Sequence, residues 1–244
     1  MELIRFSDRI WYLPYERETD RPNLFYLKGD VCSAVIDAGN SQAHVEKLYH
    51  LLEEKGLPLP EYTIISHWHW DHTFGLPFIH GTSVASAKTN AKLKEVMAWE
   101  WNDDAMNERE KTGEDIAFCN ACIRVEYADL SEIRVCQADR GIDAPETLDL
   151  GGLTLHLIPR DSTHSRDALF VYVPQEAALI VGDADCKDYY DNFAKYNKNR
   201  LEEMIAFFAS LPYEHHLIGH DAPLTKAEAL EELRTDLQDP EQLR

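Results

Sequence analysis

The stretch His67-Trp68-His69-Trp70-Asp71-His72, entered from Tyr62-Thr63-Ile64-Ile65-Ser66, decides how this chain is read. The entering segment is apolar, rich in β-branched residues and short, the pattern of a buried strand. Three imidazoles and a carboxylate therefore begin where a strand gives way to a loop. These groups are preferred ligands of zinc and related divalent ions. Residues at i and i+2 of an extended segment point the same way, so His67 and His69 are placed to grip one ion. Asp71 and His72 come after the chain has turned and reach a second ion beside it. With 11 histidines in 244 residues, chance would assemble such a run in about two of a thousand chains, so a site is a better reading than a His-rich surface turn.

The composition bounds the rest. The chain is 44% hydrophobic, ample for a packed core, and no linker-like segment divides it, so residues 1–244 are expected to form one domain. No run approaches the roughly 18 apolar residues needed to span a bilayer. Met1-Glu2-Leu3-Ile4-Arg5 lacks a basic region followed by a long apolar one, so no secretory signal is read. The five cysteines are odd in number and irregularly spaced, which points to reduced thiols and a cytoplasmic location. Cys119 and Cys122 form a C-x-x-C with no second pair, and helical spacing of small residues accounts for it as readily as a metal or redox role. The formal net charge of −20 repels phosphate backbones and anionic membrane surfaces, so neither nucleic acid nor membrane is an expected partner. A small-molecule substrate is expected, and the oligomeric state is not legible.

Along the chain, strand and helix signals alternate. Residues 10–13, 24–27 and 31–37 read as strands, with Lys28-Gly29-Asp30 as a turn. Val45, Leu48, Leu51 and Leu52 make an apolar stripe over a helix at 41–55, stopped by Gly56. Residues 62–66 and 82–86 read as strands. Residues 88–132 are polar and helix-prone and break the rhythm; a helical insertion that covers the site and a plain surface excursion fit equally. The second half resumes with strands at 133–137, 147–150, 153–158, 168–173, 178–181 and 215–218, with Gly151-Gly152 as a hairpin turn. Helices are expected at 199–210 and from Thr225-Lys226-Ala227-Glu228, a capping-box pattern, to about residue 237. This order predicts two sheets with outer helices.

One cluster alone leaves a metal site incomplete. Three further polar residues stand where strands emerge: His164, Asp183 directly after 178–182, and His220 directly after 215–219. With these in place the chain resembles a known family. His67-x-His69-x-Asp71-His72, His164, Asp183 in Val181-Gly182-Asp183 and His220 in Ile218-Gly219-His220 look like the metal signature of the metallo-β-lactamase superfamily. Val35-Ile36-Asp37-Ala38-Gly39 resembles its first motif, and Thr163-His164-Ser165-Arg166-Asp167 its second-histidine segment. The resemblance runs from about residue 10 to 235, interrupted by 88–132. It implies an α/β fold, a four-layer αββα sandwich, with His67, His69 and His164 on a first ion and Asp71, His72 and His220 on a second. Asp183 would bridge both. Asp37 would orient a ligand, although a structural cap at the helix entry is nearly as good a reading.

The resemblance further implies two divalent ions, zinc first, with iron or manganese suiting the same ligands. It implies hydrolysis by metal-bound hydroxide of an ester, thioester, lactone, amide or phosphoester, with Asp71 also accepting a proton. A mononuclear iron dioxygenase of the persulfide dioxygenase kind, and a metal-binding module without catalysis, are the alternatives. Departures narrow the choice. One large group of true β-lactamases carries cysteine where this chain has Asp183. The chain ends 24 residues after His220, so the C-terminal helical domain of glyoxalase II is not expected. Lys187, Tyr189 and Tyr190 could supply a substrate-orienting group or a buried aromatic pair. Trp68 and Trp70 could line the pocket mouth or pack beneath the loop.

Overall fold

The computed structural model describes residues 2–190 and 194–244. The chain opens with β1 (Ile4–Arg5), β2 (Ile10–Leu13), β3 (Leu24–Lys28) and β4 (Ser33–Ile36), an antiparallel run. Helix α1 (Gln42–Glu54) then crosses over to β5 (Tyr62–Ile64), which lies parallel to β4. Ser41 caps α1, its Oγ accepting from the His44 amide. A single turn, α2 (Trp70–Thr73), follows, then β6 (Thr82–Ser86) and three helices: α3 (Ala87–Val96), α4 (Asp103–Thr112) and α5 (Ala117–Glu126). β7 (Arg140–Ile142) closes a seven-stranded sheet in chain order.

The second sheet holds β8 (Glu146–Asp149), β9 (Thr154–Pro159), β10 (Leu169–Val173) and β11 (Ala178–Gly182), then, after α6 (Lys198–Ser210), β12 (His215–Ile218) and β13 (Leu224–Thr225). α7 (Lys226–Gln238) starts from the expected capping box on Thr225 and Glu228. Strands β8 to β13 form a six-stranded sheet, antiparallel except where α6 carries the chain from β11 to a parallel β12.

Alternation decides the layering. Ile10, Phe25, Leu27, Ala34 and Ile36 of the first sheet face Leu155, Leu157, Leu169, Val171 and Ile180 of the second, all buried. Each of these side chains larger than Ala34 contributes roughly 1.5–3 kcal/mol by leaving water. The opposite faces take the helices. Leu13, Tyr26 and Val35 pack on Leu48 and Leu52 of α1, and Phe170, Leu179 and Val181 pack on Leu201, Met204 and Phe208 of α6 and Leu230 and Leu233 of α7. The result is a helix–sheet–sheet–helix sandwich. Among the described residues no helix is long and apolar enough to cross a membrane.

Two expectations are corrected. Residues 133–137 form no strand. Asp139 bonds the amide and hydroxyl of Ser83, each at 2.8 Å, and so brings the chain to β6 only just before Arg140, while Ile133 and Val135 pack as extended coil. Strand β5 stops at Ile64 rather than Ser66, because the Ser66 amide is taken by the Asp37 carboxylate at 2.7 Å instead of a ladder carbonyl. Residues 88–132 do carry helices, and they cover the site: Trp70, Phe74 and Met106 pack with Ile123 and Tyr127 of α5 and just beyond it.

Candidate metal centre

Every candidate ligand sits at an edge where the two sheets meet. Gly182, at φ +58°, ends β11 against β5: a Cβ there would lie 2.5 Å from Ser66 Oγ, so only glycine permits the approach. The His67–His72 run leaves β5 and turns sharply. Trp70 is buried in the cluster beneath, and Thr73 Oγ1 donates to the His69 carbonyl at 2.9 Å. The short α2 that results presents Asp71 and His72 side by side. Trp70 thus packs under the loop, whereas Trp68 remains half-buried beside His69 and Tyr190.

The side chains converge as two groups. His67 Nε2 and His164 Nε2 each lie 2.9 Å from His69 Nδ1. Asp71 Oδ2 lies 2.9 Å from His72 Nε2 and 3.0 Å from His220 Nε2. Within each of the groups His67/His69/His164 and Asp71/His72/Asp183/His220, one donor atom per residue falls within 4.8 Å of all the others. Asp183 Oδ2 stands between the groups, 3.1 Å from His220 Nε2, 3.5 Å from His72 Nε2 and 3.8 Å from His164 Nε2. Its other oxygen, Oδ1, is buried with no hydrogen-bond partner among the described residues. A carboxylate with an orphaned oxygen, ringed by imidazole nitrogens, fits divalent cations.

The outward ring nitrogens are held. His72 Nδ1 lies 2.7 Å from Asp37 Oδ2, and His164 Nδ1 lies 2.7 Å from the Lys187 carbonyl. Ser66 Oγ donates to Asp37 Oδ2 at 2.9 Å and lies 3.0 Å from His67 Nδ1. These partners leave Nε2 of all three rings free as a donor to a metal. Asp37, left-handed at φ +67°, therefore braces the site; the cap of α1 is Ser41.

Charge is divided between the groups. Burial, reinforced by the neighbouring imidazoles, pushes His67 and His69 well below the ordinary imidazole range. Burial also opposes a proton on His220, but Asp183 and Asp71 outweigh it and raise the ring to about 10. His72 is raised in the same way by Asp71 and Asp37. Asp71 is held ionised by His72 and His220 against the opposing effect of burial.

A cavity of about 410 Å³ opens onto the donors. Tyr15, Ile116, Phe118, Cys119, Tyr189 and Tyr190 form its walls, and Asp20 adds a carboxylate. No lysine or arginine lines it among the described residues. Lys187 points away, to Gln242 and the Tyr196 ring. Tyr189 is half exposed at the mouth, and Tyr190 is wedged against Trp68 and His69 with its hydroxyl on Asp115. On the other side of Tyr190 an adjoining cleft of about 360 Å³ also reaches His69 and His164; Lys88, Lys92 and Arg166 line it, matched in number by Glu114, Asp167 and Asp188. Of the cavity walls, sequence reasoning named Tyr189 and Tyr190 but missed Tyr15, Ile116, Phe118 and Cys119, and it missed Asp20. Glu16-Arg17-Glu18-Thr19-Asp20 reads as a solvated loop, and nothing local marks it as inward-facing.

The model of the metallo-beta-lactamase superfamily matches residues 18–238. This chain belongs to that superfamily. No curated protein matches it. A metallo-beta-lactamase from Pontibacter korlensis superposes with a TM-score of 0.66 at 16% identity, covering 98% of this chain and 99% of the other. A metallo-beta-lactamase family protein from Thermus thermophilus gives 0.66 at 18%, covering 96% and 81%. The sec-alkylsulfatase Pisa1 from Pseudomonas sp. gives 0.64 at 13%, covering 97% of this chain and 40% of that one. At such identities the likeness shows the superfamily fold alone.

Beside this superfamily centre lies a buried histidine that carries no ligand role. His44 of α1 is fully buried, and neither ring nitrogen has a hydrogen-bond partner among the described residues. Burial lowers its pKa well below 6.5. The unfolded chain takes up this proton below about 6.5 and the native state does not, so the stability it confers is complete above that pH and lost below it. Each proton so excluded costs about 1.4 kcal/mol per pH unit. In metal-free protein, His44→Leu is expected to gain on wild type in melting temperature progressively below pH 6.5. An offset that stays constant across pH 5–8 would contradict this.

Proposed function

We propose that the protein is a dinuclear metal-dependent hydrolase of uncharged carboxyl esters, thioesters, lactones or amides, with zinc as the resident metal. The observation that carries this reading is the single oxygen, Asp183 Oδ2, lying between two His/Asp groups at the floor of an apolar cavity. Two divalent ions there would lower the pKa of a shared water toward 7 and polarise a substrate carbonyl. His67, His69 and His164 would hold the first, Asp71, His72 and His220 the second, and Asp183 would touch both. Asp71, at the cavity floor, would accept the proton of the attacking water. Ile116, Phe118 and Tyr189 would bury an apolar acyl group and exclude water around the carbonyl. Phosphodiesters and sulfate esters fit less well. Apart from the ions, the cavity offers their extra negative charge no lysine or arginine among the described residues and places the Asp20 carboxylate beside it.

The test is metal analysis of protein purified without added metal, followed by a panel of p-nitrophenyl acyl esters, thioesters, lactones, anilides, a cephalosporin and bis-p-nitrophenyl phosphate. Two zinc ions per chain, and kcat/KM for acyl substrates exceeding that for the phosphodiester by at least about 100-fold, are expected, a margin of roughly 2.7 kcal/mol. One iron per chain with oxygen consumption would replace this reading with oxygenation. Phosphodiester preference would overturn the substrate class.

A further inference from the structure

Of the Nε2-presenting imidazoles in the two groups, three have their outward nitrogen within 3.0 Å of an oxygen: His67 on Ser66, His72 on Asp37 and His164 on the Lys187 carbonyl. His220 is the fourth. Its Nε2 points inward with Asp71 and Asp183; its buried Nδ1 faces the Asp20 carboxylate, Oδ1 at 3.4 Å, and has no hydrogen-bond partner among the described residues. Asp20 comes from the loop between β2 and β3, far from any ligand in sequence. It is nonetheless buried, and it holds a left-handed backbone at φ +53°.

That loop is tied to the turn that carries His220. The Asn23 amide donates to the Gly219 carbonyl at 2.6 Å, and Asn23 Nδ2 donates to the carbonyls of Ile218 and Asp221, each at 2.7 Å. Tyr15 sets its ring edge-on to His220, with centroids 4.9 Å apart. The next residue, Arg21, grips Glu126 of α5 through Nη2 at 2.7 Å and Nε at 3.1 Å. Glu16 and Arg21 exchange backbone bonds at 2.9 and 3.1 Å, which closes the loop around Asp20. Holding an aspartate left-handed and buried costs free energy. The bonds on either side of Asp20 are what maintain it opposite the imidazole.

We propose that Asp20 is a positioning residue for the second metal site, fixing the His220 ring and its Nδ1–H tautomer so that Nε2 is presented to the ion. Its carboxylate faces His220 Nδ1 as that of Asp37 faces His72 Nδ1, at 3.4 Å where Asp37 makes a hydrogen bond at 2.7 Å. The assignment rests on the two-ion reading above. It predicts a defect confined to one site, because Asp20 approaches no ligand of the His67, His69, His164 group in any ion pair or hydrogen bond among the described residues.

Metal-free native protein, Asp20→Asn and Asp20→Ala are titrated with zinc against a chromophoric chelator, with His164→Ala and His220→Ala identifying the two sites. In Asp20→Ala the site lost in His220→Ala is expected to weaken 10- to 100-fold, roughly the cost of losing an outer partner of a metal-bound histidine, while the other changes by less than about threefold. Asp20→Asn keeps an acceptor and tolerates the left-handed backbone, so its loss is expected to be smaller and its metal-free melting temperature native-like. Equal weakening of both sites with a lowered melting temperature reduces Asp20 to loop packing and overturns the proposal; so does unchanged affinity. In zinc-loaded native protein the His220 Nδ1 proton is expected as a slowly exchanging downfield resonance, and rapid exchange overturns the proposal without recourse to any variant. A native protein that binds one ion defeats the two-ion reading and this inference together. Two ions bound with indifference to Asp20 defeats this inference alone.

Discussion

If the protein is the two-zinc hydrolase proposed, Asp183→Asn is expected to take bound zinc from two ions per chain to one or fewer, and to reduce hydrolysis by at least about 100-fold, beyond the 10- to 100-fold that even outer partners of ligands cost. The reason is positional. Asp183 Oδ2 is a carboxylate oxygen within 3.8 Å of the inward nitrogens of imidazoles from both groups, a place that no other residue of either group takes in these ion pairs. Asparagine keeps the shape but supplies a neutral oxygen and an amide that cannot coordinate. The metal-free protein is affected as well. His72 and His220 hold Asp183 ionised well below its ordinary range against the opposing effect of burial. A depressed carboxylate stabilises the fold above the unfolded value, near 3.8, and that stability disappears as pH falls through the folded value. The variant should therefore melt lower than wild type at neutral pH without ions. Metal content measured together with kcat separates this from simple unfolding, and a variant that keeps two ions and full activity would remove Asp183 from the site.

Gly219→Ala is expected to reproduce that defect without touching a ligand. A Cβ at Gly219 would lie 2.1 Å from Asp183 Oδ1 and 3.3 Å from His72 Cε1. Ordinary contact distances demand more than an ångström of movement. Either Asp183 rotates out of the space between the groups, or the turn carrying His220 withdraws. Both misplace a ligand, and a misplacement of about 1 Å costs on the order of 100-fold in rate. The measurement is zinc stoichiometry and kcat/KM beside Gly141→Ala, whose Cβ meets nothing nearer than the end of the Asn90 side chain at 3.2 Å. Near-native metal content in Gly219→Ala would mean that the turn yields elsewhere.

These two residues mark what was legible in the chain. Asp183 could be found from its place directly after a strand of five apolar residues, because a buried strand must release a polar residue where it exits. Gly219 showed only as the residue between a strand and His220, because its reason is a side chain 36 positions earlier. Strand pairs such as β8 with β9, and the capping box of α7, follow from alternation and turn chemistry within a few residues, and they appear where expected. Residues 133–137 misled, since an apolar, β-branched run fits a strand until a neighbour takes the sheet edge. Here the Asp139–Ser83 bonds bring Arg140–Ile142 to that edge instead.

Asp20 and the walls other than Tyr189 and Tyr190 could not be read from the chain. Asp20 sits among charged residues that would suit solvent, and only the Arg21–Glu126 pair and the Asn23 bonds turn it inward. The insertion is similar: its helices are polar enough to stand in water, yet Ile116, Phe118 and Cys119 face the donors.

By itself the amino-acid order determined the inventory of candidate ligands, the strand exits that present it and the superfamily, because ligand chemistry and side-chain period are local properties of a chain. Tertiary structure alone decided that one carboxylate oxygen stands between two donor groups, that a distant loop faces His220, and that the cavity is walled without a cation. Those facts depend on where segments separated by tens to more than a hundred residues come to rest, and packing sets that after the local pattern is spent.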